Sequence, residues 1–419
     1  MSGSVLKVFL VICLLLIPSL FTSVQLLFAE QQNDSIVLGM SAAFKGPSRG
    51  LGIELYRGAM AYFEHINKNG GIYGKKIVIK AYDDGYNPSP TIKNTIKLVE
   101  EDKVFTLFNY VGTPTVTRIL PILKSYSNRN IYLFFPFTGA LPHRKPPYNE
   151  YVFNLRASYE QETGGLVENF IKIGRKKIGI FYQADAYGRS GWDGVRKTLA
   201  EYGSKIVAEA TYKRGAKYSE SFRKQVEILK NAGADAVISV GAYAACAGFI
   251  RDARDAGWDV PIANVSFTGS EFMINLLLEE EKKTGKKYTY NLINSQVVPS
   301  YEDMSLSAVR QYRTLMDNYN PMIPPEIMEK DYKPLKYSFV SFEGFLNAKV
   351  IVEVLKRLGK EPKRENIKKV VENIKNLDIG IDEKISFSSI KHQALDKVYY
   401  TTYKNNKFVP IKDWSEWKK

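Results

Sequence analysis

From Ile36 onward the chain alternates short apolar runs with amphipathic stretches. Residues 36–40 read as a strand. The next segment carries Tyr56, Ala59, Met60, Phe63 and Ile66 at the 3–4 spacing that puts apolar side chains on one helix face. Asn69-Gly70-Gly71 ends that helix, glycine supplying a left-handed cap. The pattern then predicts strands at 76–82, 104–108 and 131–135, with helices opened by Ser89-Pro90 and Thr113-Pro114. A second half repeats it. Strands are predicted at 177–182, 206–210, 236–240 and 262–265, the last expected to close the series. Trp192, Val195 and Leu199, then Phe222, Val226 and Leu229, then Phe249, Ile250, Ala253 and Ala256 mark the helices between. Such alternation with short links predicts α/β architecture: two doubly wound lobes of parallel sheet with helices on both faces. Beyond Tyr301 the pattern turns helical at 306–319, 342–358 and 367–374, with a proline-punctuated link at 320–334. Strand-like runs at 385–387, 397–402 and 407–411 are too few for a third core, so they are expected to complete the two lobes.

The N-terminus has another pattern. Lys7, an apolar run over 8–20 and Ala29 before a polar stretch read as a signal peptide or N-terminal anchor over residues 1–29, which predicts an exported chain, periplasmic or extracytoplasmic and membrane-associated. No second apolar run of membrane-spanning length follows residue 30. Of the two cysteines, Cys13 lies in that leader, so its removal leaves Cys246 alone and excludes an intramolecular disulfide. His65, His143 and His392 stand far apart with no metal-ligand spacing, and no metal or cofactor is expected. The formal net charge of the 419 residues is +15, but Lys and Arg are scattered among acids along the whole chain. That is a solvated basic surface and predicts no nucleic-acid partner.

In open parallel sheets ligands bind beyond the carboxyl ends of the strands. The loops there are rich in glycine, aromatic and hydroxyl side chains: 41–52, 83–89, 109–113 and 136–143 in the first half, 183–191, 212–218, 241–245 and 266–271 in the second. In Gly112-Thr113-Pro114-Thr115, Thr113 suits an N-cap and Pro114 the first helical position, leaving free amides and the helix dipole to receive a carboxylate. Thr138-Gly139-Ala140 repeats a hydroxyl beside accessible backbone at the next strand end. Phe44, Tyr187 and Tyr243 each follow a strand and are expected to point into the gap.

Catalytic patterns fail on mechanism. The glycines of 46–52 lack the dinucleotide spacing, and Gly70-Gly71-Ile72-Tyr73-Gly74-Lys75 precedes a strand where a phosphate loop would precede a helix. Asp83-Asp84 are adjacent in a loop, where side chains point apart, and no His or Cys stands close as a base. The chain is expected not to be an enzyme.

Taken in order, these residues resemble the exported solute-binding proteins of the branched-chain amino acid (Leu/Ile/Val) type that serve ABC importers. The resemblance rests on Phe44-Lys45-Gly46-Pro47, Ile66-Asn67-Lys68-Asn69-Gly70-Gly71-Ile72-Tyr73-Gly74 and Tyr82-Asp83-Asp84. Gly112 to Thr115, Phe137 to Ala140, Tyr182 to Asp185 with Tyr187-Gly188, and Gly241-Ala242-Tyr243 continue it. It implies a type I periplasmic binding protein clamshell with hinge crossovers near 154–158, 297–301 and 384–387. Lobe 1 would then comprise 36–155 with 300–384, and lobe 2 156–299 with 385–412. It also implies a monomer whose lobes close on an amino acid or other small carboxylate and deliver it to a membrane permease; a ligand sensor feeding a membrane kinase would use the same cleft. By position Gly112, Thr113, Thr138, Gly139 and Ala140 would hold a carboxylate, with Phe44, Tyr187 and Tyr243 around the rest. Members that bind amino acids place an acid against the ammonium where this chain has Ser266, with Glu271 or Asp185 the nearest substitutes. An ammonium left unpaired there would cost several kcal/mol, so the expected ligand is a small carboxylate or another compact polar metabolite, held by hydroxyls, backbone amides and aromatic rings.

Overall fold

The computed structural model describes residues 35–419; the leader expected at 1–29 lies outside them. The first sheet has strand order β2-β1-β3-β4-β5, built from β1 (Ser35–Ala42), β2 (Lys76–Asp83), β3 (Thr106–Phe108), β4 (Leu133–Phe134) and β5 (Val152–Phe153). Every pairing in it is parallel. Its crossover helices are α1 (Arg49–Lys68), α2 (Pro88–Glu100) and α3 (Thr113–Ser125).

The chain then crosses to a second sheet, reached through α4 (Tyr159–Lys172). Here β6 (Ile178–Gln183), β7 (Glu209–Tyr212), β8 (Ala236–Val240), β9 (Ile262–Asn264) and β10 (Leu292–Gln296) are parallel. Between them run α5 (Ala186–Glu201), α6 (Arg223–Asn231), α7 (Tyr243–Asp255) and α8 (Ser270–Thr284). So the series does not close at β9: α8 and β10 follow it.

After β10 the chain returns to the first lobe with α9 (Ser307–Tyr319), α10 (Phe339–Leu358) and α11 (Ile367–Glu372), and α10 packs along α1. Two short strands, β11 (Leu377–Asp378) and β12 (Lys384–Ile385), pair only with each other. The chain finally adds β13 (Tyr399–Lys404) and β14 (Lys407–Pro410) antiparallel to β10, giving the order β14-β13-β10-β9-β8-β6-β7. The late strands thus extend the second sheet by an antiparallel edge, and the run at 385–387 joins neither sheet.

The first and last crossings lie side by side. Asn154 donates its backbone N–H to His392, and Ala394 and Leu395 donate back to Asn154 and Leu155. At 384–387, where the third crossing was expected, Phe387 instead stacks on Phe135 at 6.4 Å and meets Phe153 edge-on. The chain leaves the first lobe only afterwards. One large apolar core runs through both lobes, and a smaller one of Leu98, Val104, Leu107, Ile119 and Leu123 fills the space beneath α2 and α3.

Candidate functional site

The ends of β1, β3 and β4 and those of β6, β8 and β9 face each other, which brings most of the expected residues together. Gly112, not Thr113, is the N-cap of α3; its φ of +105° suits glycine, and a Cβ there would sit 2.1 Å from the Tyr86 ring. That shift frees the Thr113 hydroxyl from capping. It meets the Thr138 hydroxyl at 2.7 Å instead, both side chains being buried. Thr138 also accepts from the Ala140 amide at 3.3 Å. The Gly139 carbonyl takes the Tyr159 N–H at 2.8 Å, and Tyr159 leaves no room for a Cβ at Gly139. The buried Tyr159 phenol lies near the two threonines with no hydrogen-bond partner of its own, and burial pushes its pKa up to about 12, so it stays a neutral hydroxyl. Three hydroxyls therefore converge beside the first-turn amides of α3, which lack intrahelical partners.

Aromatic rings close the other side. Tyr187 lies 5.2 Å from Tyr159 and 4.6 Å from Phe267. Phe267, in the turn after β9, also meets Tyr86 at 5.7 Å and Phe137 at 5.4 Å. Both lobes contribute to this stack, and Gln183 donates across the cleft to the Tyr86 phenol at 3.3 Å.

Three expectations change. Phe44 is fully buried beneath the loop, edge-on to Tyr56 at 6.2 Å, because Asp83 accepts the Phe44 and Lys45 amides and turns the ring inward. Tyr243 is not in the hydroxyl cluster: its ring packs tilted against Phe272 at 4.9 Å and its phenol accepts the Gly50 amide at 3.4 Å. Ser266 is spent on a network, its hydroxyl donating to Glu162 at 2.9 Å and accepting from Arg156. Asp83 and Asp84 point apart as expected, Asp84 holding Ser41, Tyr86 and Thr91.

Arg156, at the first crossing, was not singled out from the sequence. It lies buried between Glu162 and Glu343, each at 3.6 Å, with its guanidinium 4.5 Å from the Phe137 ring centre. Its Nε and Nη1 have no hydrogen-bond partner. Burial raises Glu343 to about 7. Arg144 pins the 138–140 loop by donating to the Ala140 carbonyl at 2.8 Å. Both substitute acids already hold other groups, Glu271 through one carboxylate oxygen only. Asp185 caps α5 and takes Gln183 at 2.7 Å and Arg214 at 3.5 Å, while Glu271 accepts the Phe339 amide at 2.9 Å. Cys246 is buried between Ser239 and Thr268, and burial pushes its thiol up to about 12. Among the described residues no group of acids, His and Cys could hold a metal ion, and no helix is long and apolar enough to cross a membrane.

A family profile described as periplasmic binding protein matches residues 35–407. The Leu/Ile/Val-binding protein homolog 3 of Brucella melitensis is 28% identical over 232 residues, covering 55% of this chain and 61% of the relative. An amino acid binding protein of Pseudomonas aeruginosa is 26% identical over 225 residues, covering 53% and 58%. The chain thus spans less than two thirds of either curated relative. A solved structure of a possible leucine/isoleucine/valine-binding protein from Rhodopirellula baltica superposes with a TM-score of 0.78 at 29% identity, over 90% of this chain and 97% of that one. A branched-chain amino acid ABC transporter structure from Thermus thermophilus with bound valine has the same fold, with a TM-score of 0.76 at 18% identity over 90% and 96%.

Proposed function

The chain belongs to the periplasmic binding protein family, and from that premise we propose that it is the extracytoplasmic solute-binding component of an ABC importer. Its two lobes close on a small polar ligand, which the closed form hands to a membrane permease. The observation that carries the ligand class is the convergence of the Thr113, Thr138 and Tyr159 hydroxyls at the start of α3, opposite Phe267, with the nearby acid Glu162 already taken by Ser266, Ser295 and Arg156. Hydroxyls, backbone amides and the positive end of a helix favour a carboxylate. An aromatic ring across from them gives an ammonium a cation–π contact but no carboxylate to pair with once it has given up its water. The ligand is therefore an organic carboxylate without a free amino group, although several relatives are named as amino acid binders.

A thermal-shift screen of the purified protein against amino acids and simple carboxylates tests this. A ligand bound only by the folded state at a hundredfold excess over its Kd stabilises by about 2.7 kcal/mol. A carboxylate is expected to raise Tm while leucine and valine do not. Thr113→Ala with Thr138→Ala is expected to weaken the bound carboxylate about tenfold or more, the loss of one to two hydrogen bonds to a charged group. Binding of free amino acids alone, or unchanged affinity in the double variant, would overturn the ligand assignment.

A further inference from the structure

A chamber of about 780 Å³ opens beside the Gly50–Tyr243 contact, away from the three hydroxyls. Its walls come from both lobes: Tyr243, Phe272 and Leu276 from α7 and α8, Pro47 and Arg49 from the start of α1, and Pro334 and Leu335 from the proline-punctuated link. The lobes meet at its floor so closely that a Cβ on Gly50 would lie 2.5 Å from the Phe272 ring. The volume falls in the range of ordinary small-molecule sites, roughly 300–1,000 Å³.

The link that forms one wall is held from beneath by a buried ion pair. Arg57 and Glu54 meet at 2.6 Å; Arg57 also donates to the Pro321 and Leu335 carbonyls, each at 2.8 Å, and Glu54 accepts from the Tyr332 phenol and the Leu335 amide. This wall is built into the fold. The charge around the opening is unbalanced. Arg49 is neutralised by Glu329 at 2.6 Å and Asp331 at 2.8 Å, but Lys217, Lys282 and Lys333 form no ion pair and face only Glu279. An apolar slot ringed by three free ammonium groups is complementary to one kind of small molecule.

We propose that this chamber binds an amphipathic organic anion, its aliphatic or aromatic body against Phe272 and Leu276 and its carboxylate at the Lys217, Lys282 and Lys333 rim. The inference rests on the reading of the chain as a two-lobed solute binder and goes beyond it, adding a second anion site at the mouth of the cleft, apart from the threonines.

The test is calorimetric titration of the full chain with octanoate, its neutral counterpart octanol, and acetate. Four proteins are compared: wild type, Leu276→Trp, the triple variant Lys217→Gln/Lys282→Gln/Lys333→Gln, and Thr113→Ala/Thr138→Ala. Wild type is expected to bind octanoate about tenfold or more tighter than octanol, the worth of one charge-assisted contact. That preference should shrink in the triple variant and in high salt. Leu276→Trp should abolish octanoate binding, and the threonine variant should retain it. Octanoate binding that survives both the tryptophan and the lysine substitutions would overturn the proposal, as would its absence from wild type. Acetate bound by wild type and lost only in the threonine variant, without octanoate binding, would overturn the chamber and leave the proposed function standing. Failure of every carboxylate would overturn both.

Discussion

Glu271 keeps one carboxylate oxygen on the Phe339 amide and leaves Oε2 buried without a partner. Burial raises its pKa to about 7, so the folded state holds a proton that the unfolded chain, near the ordinary 4.5, has released. The stabilisation this brings is complete below the unfolded value and is lost as pH rises through the folded one. Glu271→Gln is therefore expected to gain stability relative to wild type between about pH 5 and about pH 8, by at most about 3 kcal/mol. Urea unfolding at the two pH values checks it, and parallel stabilities would refute it. Single residues were unevenly legible. The threonine pair could be read because hydroxyls at successive strand ends must converge in a parallel sheet. Phe44 could not, since its ring is turned by Asp83 from another strand. Arg156 sits in an ordinary strand-end sequence, and only the fold reveals that Glu162 and Glu343 enclose it.

Helices α1 and α10 cross backbone to backbone. A Cβ on Gly58 would lie 1.7 Å from the Ser341 carbonyl oxygen, and one on Gly344 would lie 2.2 Å from that of Leu55. Gly58→Ala would improve helix propensity by about 1 kcal/mol, but the clash forces the helices apart. A net destabilisation of about 2 kcal/mol is expected from denaturant titration, and a neutral or stabilising result would show that the crossing can relax. Both helices were legible from their apolar spacing; their pairing was not. The elements missed share one cause, burial of polar side chains. In α4 the buried face includes Glu162, Thr163 and Gly164, and β10 buries Asn294, Ser295 and Gln296. In β10 no apolar run remains, and in α4 the polar positions interrupt the spacing of Tyr159, Leu166, Val167 and Phe170. In α8 only a short stretch around Met273, Ile274 and Leu277 is deeply buried and apolar, ahead of an acidic and basic tail.

At the scale of the whole molecule the lobes meet across the cleft at Tyr86 with Phe267 and Gln183, at Phe137 with Phe267, at Phe339 with Glu271, and at Gly50 with Tyr243 and Phe272. Tyr86→Ala combined with Tyr243→Ala is expected to open the unliganded protein, read as a larger radius of gyration in small-angle X-ray scattering. An unchanged radius would mean that the crossings alone set the spacing of the lobes. The two-lobed α/β plan was legible from strand–helix alternation, whereas the antiparallel edge of β13 and β14 was not, because pairing with β10 joins segments more than a hundred residues apart. The setting of Cys246 has a practical consequence. Its thiol is enclosed by Ser239 and Thr268 and stays protonated at neutral pH, so thiol-directed dyes have little to react with in the folded lobes. A cysteine introduced at an exposed position on the link, such as Lys330, and another on α6, such as Lys224, could carry a donor and an acceptor fluorophore with the native thiol left in place. The protein would then report its own closure as a change in energy transfer.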